Sequence, residues 1–274
     1  MSRSKTIGGY FHNGLPYNQF GQGPRIVVIF QGLMFENKPL AGLSAFFMTR
    51  TYRFLEAGHK VYIVTRKQGL PDGYSMQNMA DDYAEMIIEE FGGPVDVIGV
   101  STGGSIAQHF AADHPDLVRR LIIHSSAFTL NDEAKVAQMR VGQLARQHQW
   151  QAAYITLMNL SLPRSGIKRH LTKPLIWLVS LFGRRIFGAP QNPSDLVVTI
   201  EAEDKHDFKD RLGQIKAPTL VVAGDKDPFY SENLFRETAA GIPKAKLILY
   251  QGMGHPASGK RFAQDVLNFL NEDI

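Results

Sequence analysis

A chain of 274 residues, 44% of them hydrophobic and 10% aromatic, can bury a sizeable core and suits one α/β domain with room for an insertion. Its 30 basic and 26 acidic residues leave a formal charge of +4 and a pI near 9.2, yet Lys and Arg are dispersed rather than gathered in a stripe, so no nucleic-acid partner is expected. The absence of cysteine excludes disulfides, thiolate metal sites and a cysteine nucleophile together.

The opening Met-Ser-Arg-Ser-Lys-Thr-Ile-Gly-Gly lacks the apolar centre of a secretory signal. No apolar run approaches the roughly 20 residues a spanning helix needs, so a cytoplasmic protein without a membrane span is expected. Next, Tyr10-Phe11 and Leu15 to Phe20 flank His12-Asn13-Gly14, and Asn-Gly between apolar segments predicts a hairpin. Arg25 to Phe30 reads as a buried strand, residues 43 to 57 as a helix closed by Gly58, and Lys60 to Thr65 as a second strand. The segment 67 to 75, with Gly69, Pro71, Asp72 and Gly73, reads as a loop before a helix over Met76 to Phe91. Gly92-Gly93-Pro94 stops that helix, Val95 to Val100 is a buried strand, and a helix continues from Ile106 until His114-Pro115. Leu121 to His124 is a further strand. Continuous apolar strands alternating with helices predict an α/β fold: a mainly parallel central sheet with helices on both faces.

The alternation then stops. From Phe128 to Leu212 the chain is helical in character, with Asn131 and Asn192 as N-caps and Pro193 at a first helical position. Strands return at Thr219 to Ala223 and Lys246 to Tyr250. A crossover needs far fewer residues than this, so 128–212 is expected to be an inserted helical cap on a core made of 1–127 and 213–274. Within it, the apolar run Leu175 to Phe182 reads as a buried helix in preference to a lipid-touching surface.

Where the strand ending at Val100 meets its helix, the chain reads Gly99-Val100-Ser101-Thr102-Gly103. A serine hydroxyl is a poor nucleophile at neutral pH. It needs a base, a group to orient that base and donors for a developing oxyanion. Gly-x-Ser-x-Gly suits a serine held on a strained strand-to-helix turn, because flanking glycines let the neighbouring backbone approach. Gly224-Asp225-Lys226-Asp227-Pro228 follows the next-to-last strand, and Gly252-Met253-Gly254-His255 follows the last. Acid and base therefore come in the order Ser, Asp, His, on loops at strand C-terminal ends where an open parallel sheet forms its ligand crevice.

On these residues the chain resembles the α/β-hydrolase superfamily over nearly its whole length outside the cap. The resemblance implies that Ser101 attacks an acyl carbon, His255 accepts and returns the proton, and Asp227 orients the imidazole, with Asp225 as the rival acid. It also implies an oxyanion hole from the backbone amides of Thr102 and of Leu33, in the loop Gln31-Gly32-Leu33-Met34. The family often places His-Gly there. Gln31 stands in the histidine position, either as a structural hydrogen-bonding residue of the loop or as a substrate contact.

Phe35, Phe229, Trp150 and Trp177 are candidates for an apolar acyl or alkyl pocket, with core packing as the alternative for each. His124 either lines the crevice or is a satisfied buried histidine. Neither a metal, given the scattered histidines and the lack of His-Glu-x-x-His, nor a cofactor is expected. The leading expectation is hydrolysis of a small-molecule carboxylic ester; lactone, thioester or carbon–carbon bond cleavage, a non-catalytic ligand-binding protein and a lipase acting at lipid interfaces are the alternatives.

Overall fold

A computed structural model describes residues 4–160, 174, 176–186 and 188–272. Eight strands form one sheet in the order β1-β2-β4-β3-β5-β6-β7-β8. β1 (Ile7–Tyr10) and β2 (Pro16–Phe20) are the expected hairpin, with Gly14 at φ 89 in its turn. β2 pairs antiparallel with β4 (His59–Val64), and from β4 onward every pairing is parallel: β4 with β3 (Arg25–Phe30), then β5 (Val95–Val100), β6 (Val118–His124), β7 (Thr219–Gly224) and β8 (Ala245–Tyr250).

The alternation of side chains along β3 explains why both faces must be covered. Val28 and Phe30 join an apolar core with Met79, Tyr83, Ile106 and Phe110, from helices α2 (Met76–Phe91) and α3 (Thr102–Asp113). Val27 and Ile29 point the other way, into a core with Tyr52 at the end of α1 (Gly42–Tyr52) and with Phe262 and Val266. Strands buried on two sides have no solvent face to mark with polar residues, which is why they read as unbroken apolar runs.

Capping sets the helix boundaries. Ser75 and Asn78 close a capping box at the start of α2, and Gly92 ends that helix at φ 66. α1 is shorter than expected: a 3-10 turn at Arg53–Leu55 completes the segment before Gly58.

Between β6 and β7 lie α4 (Asp132–Arg146), α5 (Trp150–Leu160), a single turn α6 (Gly183–Ile186) and α7 (Ser194–Asp204). Asn131 caps α4 through its side chain as expected. At α7, Pro193 itself takes the N-cap place, and Asn192 bonds the Ser194 amide from one residue earlier. These helices share a separate small core in which Val141, Leu144, Trp150, Tyr154, Leu196 and Ile200 surround Phe35. Phe35 belongs to the loop after β3, and Asp195 of α7 accepts hydrogen bonds from the amides of Gly69 and Leu70 in the loop after β4. The helical segment therefore docks on the C-terminal ends of the strands.

One expectation within it is overturned. Leu175 lies outside the described residues, but Trp177, Leu178, Leu181 and Phe182 are each at least half exposed rather than buried. Around them the contacts fall on small residues: a Cβ on Gly183, at the start of α6, would sit 2.2 Å from the Tyr154 ring, and Ser180 is bonded by Gln151. With the close contacts on glycine and serine, the large apolar groups face outward. Two elements were not read from the sequence, α8 (Glu232–Gly241) and α9 (Lys260–Asn271). Among the described residues, no helix is long and apolar enough to cross a membrane.

Candidate active site

Ser101 follows β5 directly and occupies φ 52, ψ −127, a region that L residues rarely adopt. Its neighbours show what permits this turn. A Cβ on Gly103 would lie 1.9 Å from the Phe30 carbonyl oxygen, and one on Gly99 would lie 2.6 Å from the Ala107 Cβ. The turn is anchored by the Ser101 amide donating to the His124 carbonyl at 3.0 Å and by the Gly104 amide donating to the Ser101 carbonyl at 2.7 Å.

Three loops converge here. His255 Nε2 lies 3.0 Å from Ser101 Oγ, and His255 Nδ1 lies 2.7 Å from Asp227 Oδ2. The Asp227 carboxylate is fully buried, and its other oxygen accepts from the amides of Phe229 at 2.9 Å and Tyr230 at 3.2 Å. It can therefore hold the imidazole without swinging. Asp225 points elsewhere, accepting from the Gly252 amide at 2.6 Å and pairing with Lys226, as a residue that ties one turn to the next.

Thr102 is the first residue of α3, where amide donors lack intrahelical partners. On the other side of the serine, a Cβ on Gly32 would lie 3.3 Å from the Ser101 Cβ, which puts the loop carrying Leu33 against the nucleophile turn. That loop is held by a side chain that the sequence reading passed over. Arg66, fully buried at the end of β4, donates to the carbonyls of Gln31 at 2.8 Å and Gly32 at 2.9 Å. Gln31 is buried as well, with its amide nitrogen 3.7 Å from the Met34 sulfur.

The expected pocket residues scatter. Phe229 packs near the site, its ring tilted against that of His255 at 4.5 Å. Phe35 and Trp150 face each other at 6.1 Å in the core of the helical segment, while Trp177 is exposed on its outer side. His124 does not line a crevice. It is fully buried, Nδ1 bonded to the Tyr52 hydroxyl at 2.7 Å, Nε2 to the Ala257 carbonyl at 2.6 Å, and stacked on Phe262. Burial pushes its imidazole down to about 3. Tyr230 and Glu203 also went unread: Tyr230, three residues past Asp227, donates its hydroxyl to Glu203 Oε1 at 3.4 Å, and its ring lies 6.1 Å from that of His255.

A strained serine between a parallel strand and a helix, with an imidazole and a buried carboxylate in line behind it, defines the class. The chain belongs to the alpha/beta hydrolase family, whose profile matches residues 39–265. A 2-hydroxy-6-oxononadienedioate/2-hydroxy-6-oxononatrienedioate hydrolase of Klebsiella pneumoniae subsp. pneumoniae is 27% identical over 275 residues, covering 92% of this chain and 89% of the relative. A Serratia proteamaculans protein with the provisional name carbamate hydrolase RutD is 26% identical over 196 residues, 70% of each chain. Among solved structures, the alpha/beta hydrolase MGS-M2 from a Medee basin deep-sea metagenome library superposes with a TM-score of 0.75 at 18% identity, over 95% of this chain and 96% of its own.

Proposed function

We propose that this protein is a serine hydrolase that cleaves a small or medium carboxylic ester through an acyl-enzyme on Ser101. The observation that carries the reading is the unbroken line from Ser101 Oγ to His255 Nε2, 3.0 Å, and from His255 Nδ1 to Asp227, 2.7 Å. His255 takes the serine proton as the oxygen attacks the acyl carbon, then returns it to the departing alcohol. Asp227 holds the imidazole in the tautomer that leaves Nε2 free to accept. Negative charge developing on the carbonyl oxygen is met by the amides of Thr102 and Leu33. Water, activated by the same histidine, then releases the acid. Residues 128–212 act as the cap over this crevice, and Phe229, beside the imidazole, forms part of an apolar wall for the acyl or alkyl group.

The test is turnover of a chain-length panel of p-nitrophenyl esters by wild type and Ser101→Ala, with labelling of Ser101 by a fluorophosphonate. Loss of turnover by about a thousandfold or more is expected for the variant. Wild-type rates in Ser101→Ala would sink the reading. A second reading, carbon–carbon bond hydrolysis with the same triad, is favoured by the name and 92% coverage of the Klebsiella relative. Its discriminating substrate is 2-hydroxy-6-oxononadienedioate itself, and faster turnover of that compound than of any ester would put it first.

A further inference from the structure

One fully buried acid beside the proposed triad that the mechanism leaves unused is the carboxylate of Glu203. It is carried on α7, within the cap, and is fully buried. Its Oε2 accepts from the Thr102 hydroxyl at 2.6 Å, and its Oε1 accepts from the Ser105 hydroxyl at 3.3 Å and the Tyr230 hydroxyl at 3.4 Å. The Gln138 side chain, on α4, is a further donor. Burial lifts this carboxyl above the usual carboxylate range, while the Thr102 bond and the charge of Arg66 oppose that rise. A carboxylate taken so far from water is tolerable only where several donors meet it.

What those donors belong to gives the group its meaning. Thr102 carries the amide assigned to the oxyanion, Ser105 lies one turn further along the same helix, and Tyr230 sits on the loop that presents Asp227. One carboxylate from the cap thus ties the nucleophile turn to the acid loop. We propose that Glu203 is a positioning residue that couples the seating of the cap to the alignment of the Thr102 amide and Ser101. It touches neither substrate nor reacting atoms. It acts by fixing the first turn of α3, where a displacement of a few tenths of an ångström changes how well an amide meets a developing negative charge. The proposal rests on the assignment of Ser101 as nucleophile.

The experiment compares wild type with Glu203→Gln, Thr102→Val, Thr102→Ser and the Glu203→Gln/Thr102→Val double variant. It reads kcat and KM on a p-nitrophenyl ester, the fluorophosphonate labelling rate, and amide hydrogen exchange at residues 101–105. A lost hydrogen bond to a charged acceptor predicts that Glu203→Gln and Thr102→Val each lower kcat about tenfold, with KM within about twofold of wild type. Thr102→Ser, which keeps the hydroxyl, should recover most of the rate, and the double variant should be no slower than the slower single. Exchange at 101–105 should accelerate in Glu203→Gln while β5 stays protected.

Wild-type kcat and wild-type exchange in folded Glu203→Gln would overturn the coupling, as would fully additive losses in the double variant. If Glu203→Gln does not fold, the contrast between Thr102→Val and Thr102→Ser decides: equal rates in the two defeat the proposal. Should wild type resist the fluorophosphonate and Ser101→Ala stay active, the nucleophile assignment fails separately. Exchange at 101–105 still judges the link between cap and turn in that case.

Discussion

Every residue of β5 and β7 is buried, and the sheet they anchor carries an apolar core on each face, whereas the helices between β6 and β7 add a small core of their own and leave Trp177, Leu178, Leu181 and Phe182 half exposed. The proposed triad belongs wholly to the first region: Ser101, Asp227 and His255 stand on loops leaving β5, β7 and β8. A close-packed sheet transmits little displacement to those loops, so hydrogen-bond distances can be held to tenths of an ångström. The second region keeps large apolar side chains, Trp177 and Phe182 among them, at its surface. On the proposed reading, chemistry is placed where packing is over-determined and substrate choice where it is not.

The sharpest way to break this contrast is at the acid. Asp227→Asn should cost on the order of ten-thousandfold in kcat by misdirecting the imidazole tautomer, while Asp225→Asn should leave kcat nearly unchanged; steady-state kinetics on one ester separate them, and a reversed order would reassign the triad. Next in size is the sheet core. Phe110→Ala, a fully buried ring beneath Phe30, should lower unfolding free energy by about 3–5 kcal/mol in urea titrations.

Acid then probes the buried histidines. His124, His206 and His109 are pushed down by burial to about 3, 3 and 4 respectively. Their folded values lie below the unfolded one, so the unfolded chain binds more protons. The stability from keeping them neutral is whole above about pH 6.5 and is lost as pH falls toward about 4 for His109 and about 3 for His124 and His206, at no more than about 1.4 kcal/mol per pH unit for each histidine. Urea midpoints at pH 7.5 and pH 5 check this, and equal midpoints would mean that the imidazoles reach water. The smallest effect belongs to the exposed side of the helical segment: Trp177→Ala should change stability by less than about 0.5 kcal/mol. A loss comparable to that of Phe110→Ala would show that this face is covered in solution.

The strands and the Ser, Asp, His order were legible because each depends on local signals: unbroken apolar runs, a glycine-flanked serine at a strand end, and glycine-rich loops after strands. α9 carried a readable signal as well, Phe262, Val266, Phe269 and Leu270 at helical spacing, and went unread. Arg66, Glu203 and Tyr230 had none. Nothing local distinguishes an arginine that will fasten two carbonyls of a distant loop from one that will face water, since the partners come from other segments. His124 shows the same limit, as its ring is satisfied by Tyr52 and Ala257, far away in the chain. The run from Leu175 to Phe182 misled because hydrophobicity reports what a side chain prefers, while the close contacts here are made by the small residues Ser180, to Gln151, and Gly183, to Tyr154.

The backbone at Ser101 carries one more consequence. Its φ of 52 burdens any residue other than glycine with roughly 1–3 kcal/mol of conformational energy. Glycine at this position would relieve the burden and end the chemistry. A laboratory selection that rewarded only survival at high temperature would therefore discard this serine early, and only a selection that also demanded turnover would keep the proposed nucleophile in so uncomfortable a place.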